Sequence, residues 1–167
     1  MIFKRLGIIA VLFAVLFAVL TFPVSASVVS FLLVETGLRE GAPEPQYTSI
    51  WEGGLMNAFF DAGHVVTNSP ITRMERKPDR DLTGIVAVDF RDAADGGAEY
   101  FILGFLEYSL ETGTAVPSEI ILKIYRVRSG QVVHEQKFRA GAGKSLNEEY
   151  QIAQNVGRSM LSHLQAR

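Results

Sequence analysis

From Val28 to Glu35 the chain is almost continuously apolar and β-branched, with one aromatic, and it stops at Thr36-Gly37. A short run of that kind reads as a buried strand. Gly41, Pro43 and Pro45 then make residues 37–46 a loop. Beyond the loop the apolar spacing becomes three and four. Tyr47, Trp51, Leu55, Ala58, Phe59 and Ala62 form one stripe, which predicts a helix over Thr48–Ala62. Ser49 and Glu52 have capping-box spacing, and Gly63 supplies the left-handed stop. Gly53 and Gly54 inside this helix cost about 1 kcal/mol each relative to Ala. Close approach to a sheet or another helix is the physical reason for having them. His64–Asn68 is a second short strand, and a strand–helix–strand unit places its strands parallel with a right-handed crossover.

Residues 69–80 are polar and irregular. Leu82–Gly97 carries two signals: its Ile-Val-Ala-Val start suits a strand, whereas the recurrence of Leu82, Val86, Phe90 and Ala93 suits a helix. The helix is favoured, with Gly96-Gly97 as its stop. Glu99–Leu110 is a long apolar strand of the kind covered on both faces. Glu119–Arg128 and Gln131–Arg139 form a hairpin about Ser129-Gly130. Leu146–Leu164 is an amphipathic helix with Tyr150, Ala153, Val156, Gly157, Met160, Leu161 and Leu164 on one face. The order predicts an α/β (α+β) fold. It has a single-layer mixed sheet of about five strands with a C-terminal antiparallel meander, packed by two or three helices.

The first 26 residues stand apart. Lys4-Arg5 precedes a charge-free apolar run of 17 residues, Leu6–Phe22, then Pro23 and Val24-Ser25-Ala26. This is the pattern of a signal peptide cleaved before Ser27. The alternative is a retained inner-membrane anchor through residues 6–22, because the run reaches the lower limit of a membrane span. Residues 27–167 then form a single domain of 141 residues with a net charge near −4, large enough for its own core. A mildly acidic domain does not suit nucleic acid, which needs a basic face. The chain has no cysteine, which excludes disulfides and a lipidated N-terminus. It also lacks a glycosylation acceptor: Asn68 is followed by Ser69-Pro70. An exported chain with neither device reads as bacterial and periplasmic.

Gly141-Ala142-Gly143-Lys144-Ser145 lies between a strand and a helix, where a phosphate-binding loop would be. The motif needs a glycine five positions before Gly143, and Phe138 is there instead. Ser145 and Glu148 have capping-box spacing and account for the segment without a nucleotide. His134-Glu135-Gln136-Lys137-Phe138 lacks the second histidine of a zinc-protease helix, and His64 and His163 lie in separate elements. Asp89, Asp92 and Asp95 spread around the solvated side of a helix. No cofactor, metal or catalytic residue is therefore assigned. The binding candidates are few. Arg73, Arg76, Lys77 and Arg80 cluster on the polar segment, balanced by Glu75, Asp79 and Asp81. They read as a solvated loop or as a contact site for an anionic partner. Trp51 reads as core on its helix stripe, or as an aromatic anchor in a partner groove.

Residues 48–68, TSIWEGGLMNAFFDAGHVVTN, and residues 93–106, AADGGAEYFILGFL, resemble a group of bacterial envelope domains. In these a helix ends at Gly before a Val-rich strand, and a Gly-Ala-acid-aromatic step enters an apolar strand. The group includes the N-terminal domain of TolB, the curli secretion protein CsgG and lipoprotein activators of penicillin-binding proteins. The resemblance spans most of residues 28–164 and rests on element order and hydrophobic pattern. It implies a non-catalytic module for protein contact or assembly in the cell envelope, with an envelope protein as partner, and it carries over no functional residue. A small ligand binder or enzyme is the rival. A pocket gathering Glu107, His134 and Arg126, or one lined by Tyr100 or Tyr125, would favour it.

Overall fold

The computed structural model describes residues 26–39, 41–42, 45–111 and 114–164. The signal segment expected over residues 1–26 lies outside them except for Ala26. The elements run β1 (Val28–Thr36), α1 (Gln46–Asp61), β2 (Val65–Asn68), β3 (Thr72–Arg73), α2 (Gly84–Asp95), β4 (Tyr100–Glu111), β5 (Thr114–Arg126), β6 (Gln131–Arg139) and α3 (Leu146–Met160). A 3-10 turn, Leu161–His163, follows α3. They build one six-stranded mixed sheet of order β2-β1-β4-β5-β6, with β3 paired to β1. β1 is parallel to β2, β3 and β4, and β4, β5 and β6 form an antiparallel meander. The mixed α/β architecture is the one expected from the hydrophobic pattern.

β1 and β4 are apolar throughout because the sheet is covered on both faces. On the first face, Phe31, Leu33, Ile102, Leu106, Leu122 and Ile124 pack beneath α1 and α3 with Trp51, Leu55, Phe59 and Met160. On the second face, Leu32, Val34, Phe101, Leu103 and Tyr125 pack with Val86 and Ala93 of α2, and Phe90 rests against them. The ring of Phe90 meets Phe101 edge-on at 5.3 Å. Residues 84–95 are thus a helix because alternating strand residues need a lid on that side. The close approach expected at Gly54 is real. A Cβ there would lie 2.7 Å from Ala153 Cβ and 2.8 Å from the Tyr150 carbonyl oxygen. α1 and α3 cross at that point.

Four boundaries differ from expectation. α1 begins at Gln46, not Thr48, and Ser49 and Glu52 lie inside it without capping; Pro45 holds the cap position with no side-chain bond. The polar segment 69–80 contains β3, whose two residues pair with Val34 and Glu35 just beyond the stretch of β1 that β2 occupies. β5 begins at Thr114, not Glu119. Pro117 argues against so early a start, but the β4–β5 register shifts between Glu107 and Tyr108, opposite Pro117 and Ser118. A proline is tolerated in a strand at such a bulge. The last helix ends at Met160 and tightens into the 3-10 turn, rather than running as one helix to Leu164. No helix among the described residues is long and apolar enough to cross a membrane.

Candidate functional site

β1, β3 and β4 run parallel, so their carboxyl ends lie together. From β1 the chain goes through α1 to β2 on one side, and it returns through α2 to β4 on the other. α1 covers the first face and α2 the second. The connections therefore diverge between β1 and β4, and in open α/β sheets a crevice forms outside the strand ends at such a point.

A buried polar cluster fixes those ends. Glu35, near the end of β1, accepts from Thr48 Oγ1 at 2.5 Å. Tyr108 Oη lies 2.7 Å from Thr48 Oγ1. A hydroxyl has one proton and Thr48 gives its own to the carboxylate, so Tyr108 is the donor to Thr48. Arg73 Nε and Nη2 each lie 2.9 Å from Glu35 Oε2, and Nη1 donates to the Ala42 carbonyl at 3.0 Å. One chain of bonds thus joins β1, β3, β4 and the first turn of α1. Burial pushes the Tyr108 hydroxyl far above its ordinary range, so it remains a donor at every physiological pH.

Beside this cluster, on the second face, lies a cavity of about 180 Å³. Phe105 and Ile121 form its floor, Thr36, Gly37 and Glu107 one wall, and Glu75, Arg76 and Lys77 its rim. Lys77 Nζ stands 5.2 Å from the centre of the Phe105 ring, a cation–π contact. The rim is tied to β1 by Met74 N–H to the Glu35 carbonyl at 2.9 Å and Gly37 N–H to the Glu75 carbonyl at 3.2 Å. Gly37 has φ +83, and the Tyr108 carbonyl occupies the place where a Cβ would be. Farther along, Asp81 Oδ2 accepts from Tyr125 at 2.6 Å and lies 2.7 Å from Lys123 Nζ. Burial alone would raise the Asp81 carboxyl, but the bonds from Lys123 and Tyr125 outweigh it and hold the group below its ordinary value. Burial likewise opposes the charge on Lys123, yet Asp81 and Glu135 hold the ammonium above its ordinary value. This pair pins the loop over the sheet.

The residues expected to bind are therefore divided. Arg76 and Lys77 line the cavity rim. Arg73 is committed to Glu35, and Arg80 is exposed away from the lining. Trp51 is wholly buried, which overturns its reading as an anchor for a partner; its indole N–H donates to Glu149 Oε1 at 2.8 Å. Glu107 and Arg126 lie toward opposite ends of the β4–β5 pair, across from Glu119 and Tyr100. His134 stacks on His163 at 3.5 Å on the first face, so these three groups form no common pocket. Tyr100 donates to the Leu164 carbonyl and Tyr125 to Asp81. Among the described residues no cluster of metal-ligating side chains occurs. Sequence reasoning missed Phe105, Ile121 and the Glu35–Thr48–Tyr108 chain. Glu35 was the available signal: a carboxylate at the end of an apolar strand needs a partner.

The glycine-rich segment 141–145 has a different occupant from a phosphate. Gly141 N–H donates to Glu149 Oε1 at 2.7 Å, Gly143 N–H to Glu149 Oε2 at 2.8 Å, and Lys144 N–H to Glu148 Oε2 at 2.9 Å. Ser145 Oγ caps α3 by accepting from Glu148 N–H at 3.2 Å. The nest is filled by the carboxylates of the helix it opens.

No protein-family model matches this chain, and no curated protein matches its sequence. Similar solved structures include a PelC dodecamer from Paraburkholderia phytofirmans, at 18% identity and TM-score 0.48, covering 85% of this chain and 89% of that one. TolB from Acinetobacter baumannii matches at 15% identity and TM-score 0.42, covering 84% of this chain and 30% of that one. A lipoprotein from Neisseria meningitidis matches at 11% identity and TM-score 0.43, covering 85% and 99%.

Proposed function

We propose that this chain is a non-catalytic interaction module of the bacterial cell envelope, which receives a side chain of a partner protein in the crevice at the ends of β1 and β4. The observation that carries the proposal is the crevice itself. Its floor is apolar, its rim is charged, and its volume of about 180 Å³ is small. Pockets for drug-sized ligands measure roughly 300–1,000 Å³. A space of this size suits one inserted side chain, with Arg76, Lys77, Glu75 and Glu107 placed to pair with charges around it. The interior polar groups support the same reading. Glu35, Thr48, Arg73, Tyr108, Trp51 and Glu149 all bond to other parts of the chain and hold elements in place. The signal-like segment Lys4–Ala26 and the resemblance to envelope domains support export to the periplasm.

The test is a crosslinking pull-down of the tagged, exported protein from native envelope. Wild type is expected to recover a specific envelope protein in stoichiometric yield. Reversing the rim in an Arg76→Glu/Lys77→Glu variant is expected to lose that protein with little change in stability, since both residues are exposed. A partner retained by the variant, or none recovered with wild type, overturns the assignment.

A further inference from the structure

β6 is an edge of the sheet, nine residues long, with nothing among the described residues paired to its outer side. Such an edge is a template for another strand. The bond from Ala140 N–H to the Ser118 carbonyl fixes which groups are free. Backbone groups alternate in direction along an antiparallel strand. Those of Gln136 and Phe138 therefore point to β5, and those of Glu135, Lys137 and Arg139 point outward.

We propose that the occupant of this edge is a second copy of the chain, paired antiparallel through β6 about a two-fold axis at Gln136. Two identical edges can pair this way only about an axis perpendicular to the sheet, so the axis passes through one residue and each residue meets its mirror position. Charge then selects the register. Centred on Gln136, Glu135 meets Lys137 of the second copy, twice, and His134 meets Phe138, twice. Centred on Glu135 or Lys137, like charges would face each other at the axis, and centred on Phe138, Lys137 would meet Arg139. Opposite charges across strands stabilise and like charges destabilise. Both side chains keep exposed surface, 51% for Glu135 and 61% for Lys137, and Lys137 Nζ already lies 2.6 Å from Glu119 Oε2 of its own chain. Lys123 already lies 3.3 Å from Glu135, so the dimer extends an alternating row of Lys123, Glu135 and the second copy's Lys137. The charges that guard a natural edge against indiscriminate pairing here favour the one register that sets Glu135 opposite Lys137. The inference is independent of the crevice reading, which concerns other residues.

Because the chain has no cysteine, one introduced residue reports cleanly. Gln136→Cys places two thiols in a non-hydrogen-bonded pair, where Cα atoms approach to about 4.5 Å. Mild oxidation of the purified protein is expected to give a disulfide dimer at this position, and Glu135→Cys or a Val65→Cys control on the opposite edge much less. Glu135→Lys and Lys137→Glu should each weaken self-association by about tenfold or more. Mixing these two variants should restore dimers, as heterodimers only. One variant then carries lysine at both positions and the other glutamate at both, so every facing pair in the heterodimer is again of opposite charge. Circular dichroism of each variant establishes that it is folded. A folded wild type that stays monomeric across the concentrations tested, preferential cross-linking at position 65 or 135, or a mixture that forms no heterodimer overturns the proposal.

Discussion

Glu149 is wholly buried, yet its negative charge is met by the N–H groups of Trp51, Gly141 and Gly143 and by the amino end of α3. This arrangement explains both glycines. Gly141 has φ +69 with the Pro117 carbonyl against it, and a Cβ on Gly143 would lie 2.6 Å from Glu149 N. Glu149→Gln keeps the shape but turns an amide NH₂ toward an N–H donor, so one buried donor loses its acceptor. The expected loss is about 1–3 kcal/mol in chemical denaturation, with a shift in Trp51 fluorescence. Lys144 contributes only its backbone N–H to the turn. Lys144→Ala should stay within about 0.5 kcal/mol of wild type. Neither protein should bind nucleotide in calorimetry, and saturable binding lost in the variant would show that the nest is open. The failed motif at Phe138 and the capping box at Ser145 were legible in the sequence. The identity of the occupant was not, because Glu149 reaches the loop only through the packing of α3 against Trp51.

At the scale of elements, the contact between α1 and α3 decides how the first face is built. Phe59 is wholly buried, edge-on to Phe31 at 5.2 Å. Phe59→Ala should cost about 3–5 kcal/mol in the same denaturation measurement. Gly54 makes a sharper test. On an isolated helix, Gly→Ala would gain about 1 kcal/mol of propensity. Here the added methyl meets Ala153 and the Tyr150 carbonyl, and overpacking of that kind costs about 1–3 kcal/mol. Gly54→Ala should therefore destabilise in a denaturant titration; a stabilised variant would mean that the helices do not cross there. The stripe from Trp51 to Phe59 announced α1, and the glycine pair announced close approach. Which element comes close is a tertiary fact, because every apolar face along the chain was an equally good partner on paper.

Over the whole molecule, the second face is tied to its covering loop by the Asp81–Lys123 pair. The Asp81 carboxyl lies below the ordinary aspartate value of about 3.9, so its contribution is present above that pH and lost as pH falls through the folded-state value. The Lys123 ammonium lies above the ordinary lysine value of about 10.4, so its contribution is present below that pH and lost as pH rises through the folded-state value. Asp81→Asn should destabilise by about 1–3 kcal/mol between these limits. Thermal melts across pH should show the gap to wild type closing in acid and narrowing in strong alkali. A gap independent of pH would mean that the pair does not hold the loop.

The sequence by itself determined the order of the elements other than β3, the parallel β1–β2 unit, the meander and the two-sided core. Period-two and period-four spacing of apolar residues is local information, and so are Gly63, Gly97 and Ser145 at helix ends. Tertiary structure alone decided the rest. β3 forms because β1 extends beyond β2 and leaves backbone groups for Thr72 and Arg73 to satisfy. β5 tolerates Pro117 because a bulge across from Glu107 and Tyr108 absorbs it. The crevice exists because the connections diverge between β1 and β4, which brings Thr36, Phe105 and Lys77 together from segments tens of residues apart. No spacing along the chain encodes that meeting; it follows from the order in which the strands join the sheet.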